Sequence, residues 1–136
     1  MDDRGSVTGF VMVFVLALLL CAGLVIDGGA KLQAYREAYA VAEEAARAGA
    51  GQVDVDRVYA QGGRFEIDTA KALAAARAYL GTSGHPGSAA MTGERTIEVT
   101  ASVTKKTVLL SLIGVTSVEA TARASAQMLQ GVDQGR

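Results

Sequence analysis

Residues 7 to 26 read VTGFVMVFVLALLLCAGLVI, twenty positions without a charge, in which Thr8 and Cys21 are the most polar members. At a rise of about 1.5 Å per residue this run makes a helix of roughly 30 Å, the thickness of a bilayer's hydrocarbon core. A soluble core helix would return polar residues every three or four positions, and this stretch has no such return. The reading is a transmembrane helix over 7–26, preceded by a short leader at 1–6.

The composition divides in the same way. Half of the residues are apolar and only 5% aromatic, with no Trp, and the apolar run together with alanine supplies much of that half. About 110 residues follow Ile26, enough for one small domain. Thirteen Lys and Arg against fourteen Asp and Glu give a net charge of −1 without a basic block, so nucleic acid is not an expected partner. The single cysteine, Cys21, lies in the apolar run and allows no intrachain disulfide.

A cleaved signal peptide is the main competitor for the first thirty residues. The leader Met1-Asp2-Asp3-Arg4 is not net positive, the apolar run exceeds the usual 7 to 15 residues, and the best small-residue exit is Gly28-x-Ala30. Leu20 stands where a lipoprotein site at Cys21 would need a small residue. An anchor that stays with the chain fits these residues better. Arg4 on one side and Lys31 with Arg36 on the other give the positive-inside rule no decisive bias. The short leader favours a cytoplasmic amino terminus and an extracytoplasmic domain.

Beyond Gly28-Gly29 the pattern becomes amphipathic. Leu32, Tyr35, Tyr39, Ala42 and Ala46 recur at steps of three or four, with charged residues between them, which predicts that the helix continues over 27–50 with its apolar stripe on those residues. Two adjacent glycines predict a soft joint at 28–29, and Gly49 and Gly51 are natural stops.

The remainder, 51–130, reads as a small α+β domain, with a flexible tail at 131–136. Val53, Val55 and Val58 suggest a short strand broken by Gly62-Gly63. Asp68 or Thr69 can cap a helix whose body, 70–80, carries a stripe of Leu73, Ala76 and Leu80 and stops at Gly81. Residues 81–88 are a loop by composition. Ile97, Val99, Ala101 and Val103 alternate with polar residues, and Val118, Ala120, Ala122, Ala124 and Ala126 do the same, which predicts an antiparallel pair of strands covered by helices.

These features together resemble TadE/TadG-like proteins, minor pilin-like components of the tight-adherence (Flp-type) pilus assembly systems of bacteria. The resemblance rests on Arg4-Gly5-Ser6, the apolar stretch, Ala22-Gly23-Leu24-Val25-Ile26-Asp27-Gly28-Gly29 and the helix containing Ala42-Glu43-Glu44-Ala45-Ala46-Arg47-Ala48. It is strongest over residues 4 to 50. A second stretch, 105–126, is similar to the family's carboxy-terminal ending, where an apolar segment closing on Leu112-Ile113-Gly114 leads into a small-residue strand. The resemblance implies a pilin-like architecture, other pilus assembly proteins or pilins as partners, and a cell-surface role with incorporation into a filament as one outcome. It makes Gly5-Ser6 the candidate processing site. Pilins cut there typically carry a glutamate five residues into the mature chain, whereas here that position is Phe10 and no acid occurs from Ser6 to Ile26. An anchor that is never cut is at least as compatible with these residues.

Chemistry is sparse. His85 is the only histidine, with no second histidine or cysteine at metal-ligand spacing, and a solvated loop residue is its simplest reading. Gly62-Gly63 lacks the Lys-Ser/Thr of a phosphate loop, and no serine or cysteine motif for covalent catalysis is present. The expectation is a non-enzymatic protein with no cofactor and no metal. Contact residues remain. Gly5, Gly9, Ala17 and Cys21 offer small faces for helix packing in the membrane, in homo- or hetero-oligomers. Val108, Leu109, Leu110, Leu112 and Ile113 form the one apolar cluster after the anchor, read first as a plug for the open end of the sheet and second as a docking patch. Two other functions compete with a pilus role: a membrane-anchored extracytoplasmic binding module, and a secreted protein released by signal peptidase.

Overall fold

The computed structural model describes residues 3–51 and 68–128. Helix α1 runs from Asp3 to Ala50 and helix α2 from Thr69 to Ser83. Strands β1 (Gly87–Met91), β2 (Thr96–Lys106) and β3 (Ser117–Gln127) form one sheet in the order β1-β2-β3, and a 3₁₀ turn, Leu110–Ile113, lies between β2 and β3. The architecture is α+β, as expected. The strand expected at 53–58, its break at 62–63 and the tail at 131–136 lie outside the described residues.

The chain divides by its contacts into two units, Met1–Ala34 with Thr104–Glu119, and Tyr35–Val103 with Ala120–Arg136. In the second unit the core gathers Ala42, Ala45 and Ala46 of α1, Ala72, Ala76 and Leu80 of α2, and Ile97, Val99 and Ala101 of β2. Among the described residues Ile97, Val99 and Val103 are the largest fully buried apolar side chains, and burial of each contributes about 1.5–3 kcal/mol relative to exposure. The alternation in β2 and β3 places the expected residues inward: Ile97, Val99, Ala101 and Val103, then Ala120, Ala122 and Ala124.

Pairing of β1 with β2 is antiparallel, with Ala89 opposite Val99. Between β2 and β3, the Thr107 amide donates to the Thr116 carbonyl at 3.1 Å, and the Ser102 and Thr121 hydroxyls meet at 2.7 Å. Partner numbers that rise on one strand as they fall on the other define an antiparallel pair.

Several sequence expectations need correction. Strand β1 turns the expected pair into a three-stranded sheet. Residues 81–88 are not a loop throughout, because α2 continues through Gly81 to Ser83 and β1 begins at Gly87. Gly84, at φ 72°, ends the helix in the left-handed conformation that glycine accepts without steric cost. At the other end of α2, the Asp68 carboxylate accepts from the Lys71 amide at 3.1 Å, so Asp68 rather than Thr69 is the cap.

The apolar stripe of α1 also differs. Leu32, Tyr35 and Tyr39 are exposed, and the buried face is Ala34, Ala38, Ala42, Ala45 and Ala46. Small side chains win that face because they allow close packing, as Gly49 demonstrates: a Cβ there would stand 2.8 Å from the Ala72 carbonyl oxygen.

No break appears at Gly28-Gly29; α1 is helical through both, and a Cβ at either would meet nothing within 4 Å. Each glycine therefore costs the helix its backbone entropy without gaining a contact. Gly28→Ala and Gly29→Ala are each expected to stabilise the helix by about 0.5–1 kcal/mol, read as slower amide exchange over residues 26–34. Unchanged or faster exchange would show that these glycines serve a contact the chain does not make on its own.

Candidate functional site at the end of the apolar helix

The described residue that breaks the apolar character of α1 is Asp27, the first position after the run. It is buried, with 1% of its surface exposed. A buried carboxylate requires hydrogen-bond donors, and here three backbone amides supply them. Val108 N–H donates to one carboxylate oxygen at 2.8 Å, while Leu109 and Leu110 N–H donate to the other at 3.1 and 2.6 Å. The bond from Val108 holds the carboxyl below its ordinary pKa, against burial, which raises it; the bonds from Leu110 and Leu109 add to the lowering. Asp27 thus fastens the β2–β3 connection to α1 as a carboxylate.

One turn earlier on the same helix face, Gly23 makes the approach possible. A Cβ at Gly23 would lie 3.0 Å from both Cβ and Cδ1 of Leu109, so the absent side chain is the space into which Leu109 packs. The pair Gly23 and Asp27, four residues apart, forms a small notch and a polar latch on one helical face.

The connection is closed on itself as well. The Thr107 hydroxyl donates to the Val115 carbonyl, and the Ser111 hydroxyl to the Val108 carbonyl at 2.5 Å. Amides of Leu112, Gly114 and Val115 donate to the carbonyls of Leu109, Ser111 and Leu110 at 3.1, 3.2 and 3.0 Å. Gly114, at φ 91°, takes the left-handed turn that leads the chain towards β3.

The residues singled out in the sequence fall in different places. Leu109 and Leu110 are half-buried, whereas Val108, Leu112 and Ile113 are exposed, at 64%, 80% and 72%. Leu109 meets α1 at Gly23, and the amides of Val108, Leu109 and Leu110 meet it at Asp27. Gly9, Ala17 and Cys21 are exposed on α1, and Gly5 and Ser6 lie in its first turn. His85 is half-buried, with Nε2 3.4 Å from Oε1 of Glu37. Among the described residues no group of three His, Cys, Asp or Glu is placed to hold a metal ion.

Asp27 and Gly23 are the functional candidates that periodicity did not reveal. A signal was present, since an acid directly after twenty uncharged residues must find a partner when the helix end is covered.

By length and composition, α1 is able to cross a membrane, and its large apolar side chains from Val7 to Ile26 are exposed. Such a surface is compatible with a membrane anchor. A family model, Flp pilus-assembly TadE/G-like, matches residues 5–61, the region that contains α1 from Gly5 onward. Comparison with curated proteins and with solved structures gave no match. Over residues 5–61, which include the apolar helix, the chain is similar to the TadE/TadG-like family of Flp pilus assembly.

Proposed function

We propose that the protein is a single-pass membrane component of the Flp pilus machinery, acting as a minor pilin or assembly factor rather than as an enzyme. The observation that carries this reading is the coincidence of the family match over 5–61 with an exposed apolar helix of bilayer length. In this reading residues 7–26 lie in the membrane, the amino terminus is cytoplasmic, and the domain formed by α2 and the sheet is extracytoplasmic. Its partners are lipid and other pilus proteins. Gly5, Gly9, Ala17 and Cys21 are proposed to face neighbouring apolar helices, where small residues permit close approach.

Cells lacking this chain are expected to lose surface pili, scored by electron microscopy and by recovery of pilin in sheared fractions. A normal pilus on such cells would refute the proposal. The amino-terminal peptide mass then separates the two roles. A chain starting at Ser6 in sheared pili is a processed filament subunit, and one starting at Met1 confined to membranes is an assembly factor. A chain starting at Lys31 in the medium would contradict membrane anchoring.

A further inference from the structure

The structure carries a second apolar surface, and its position is fixed by the latch described above. We propose that the β2–β3 connection, residues 107–116, inserts into the lipid interface beside the helix and forms a second membrane contact. This inference rests on the reading of 7–26 as a membrane span.

Depth is the first argument. Leu109 packs against Gly23, which lies inside the apolar run, three residues or about 4–5 Å before its end. Asp27, one residue beyond the run, holds the amides of Val108 to Leu110. A helix whose apolar run fills the hydrocarbon core therefore carries this connection at the hydrocarbon boundary, where interfacial segments bury their apolar faces.

Composition and bonding agree with that depth. Val108, Leu112, Ile113 and Val115 all expose large apolar side chains in a segment that belongs to the same unit as residues 23–27. Backbone groups entering an apolar phase must be satisfied within the protein. Here the amides of residues 107 to 110, and those of Leu112, Gly114 and Val115, all donate to acceptors of this unit. A water-facing loop has no need of such closure. Lys105 and Lys106 directly precede the segment, and Lys106 is exposed, where it meets phosphate headgroups if the apolar tip is inserted. That charge next to an apolar tip favours lipid over the apolar flank of a second copy.

The chain contains no tryptophan, so one introduced Trp reports its own surroundings. Full-length Leu112→Trp, and separately Ile113→Trp, would be reconstituted into vesicles of phosphatidylethanolamine and phosphatidylglycerol with or without brominated acyl chains. Val25→Trp marks the span and Ser125→Trp, exposed on β3, marks water. Leu112→Trp and Ile113→Trp are expected to shift to the blue and to be quenched by brominated lipid about half as strongly as Val25→Trp or more, with Ser125→Trp unquenched. Quenching of Val25→Trp alone would overturn the lipid contact and leave the span intact. A blue shift without quenching would mean that protein covers the connection and would likewise overturn it. Absence of quenching at Val25→Trp would remove the span and this inference together.

Discussion

Asp27→Ala is expected to release the β2–β3 connection from α1 while leaving both elements folded. The substitution removes the acceptor of three amides at once, those of Val108, Leu109 and Leu110. A donor that loses its partner must stay unsatisfied or move to water, and the second course is the one open to a surface connection. Amide exchange at 108–110 should accelerate on the order of tenfold or more, while exchange over 96–103 stays within about twofold of the parent. Asp27→Asn is no rescue, because its side chain offers one acceptor oxygen and sets two donors against the same amides. Exchange of all three amides at the parental rate in Asp27→Ala would show that the latch does not hold the connection.

The same carboxylate gives the latch a pH dependence whose sign follows from its environment. With the folded pKa below the ordinary carboxylate value, the latch contributes fully above the unfolded pKa, and its contribution is lost as pH falls through the folded one. Exchange at 108–110, corrected for the intrinsic effect of pH, should stay flat from neutrality to about pH 5 and rise only below about pH 4. Asp27→Ala should abolish that rise. A rise centred near pH 6 to 7 would instead implicate another group.

The local pattern was enough for elements whose stability is written in their own residues. The apolar run and the two long strands were legible because one phase and one alternation account for every position in them. Strand β1 was not, since Gly87-Ser88-Ala89-Ala90-Met91 has no β-branched or aromatic residue, and its strand conformation comes from pairing with β2. The face of α1 was misread for a related reason. Hydrophobicity ranks Leu32, Tyr35 and Tyr39 above alanine, but the distance between α1 and its neighbours in the second unit selects for small volume. At the candidate site, the exposed apolar cluster was visible as composition. Its attachment was not, because Asp27 meets partners 81 or more residues away, and no local period encodes that distance.

Gly49→Ala should destabilise the domain, against the usual direction for glycine in a helix. At an open helical position the change gains about 0.5–1 kcal/mol from reduced backbone freedom in the unfolded chain. At Gly49 the added Cβ would stand 2.6 Å from Ile97 Cδ1, 2.8 Å from the Ala72 carbonyl oxygen and 3.3 Å from Ala76 Cβ. Ile97 can rotate its terminal methyl, but the carbonyl belongs to the backbone of α2, and moving it means moving the helix. Overpacking of this kind costs about 1–3 kcal/mol, which exceeds the gain. The net loss of about 1–2 kcal/mol should lower the Tm of the full-length protein by roughly 5–10 °C, taken from scanning calorimetry in detergent. Gly28→Ala, where the Cβ meets nothing, should move the Tm slightly upward in the same assay. The opposite signs of two identical substitutions on one helix separate contact from propensity. If Gly49→Ala also raised the Tm, the close approach of α1 and α2 would be wrong, and with it the reason that alanine rather than tyrosine occupies the inner face of α1.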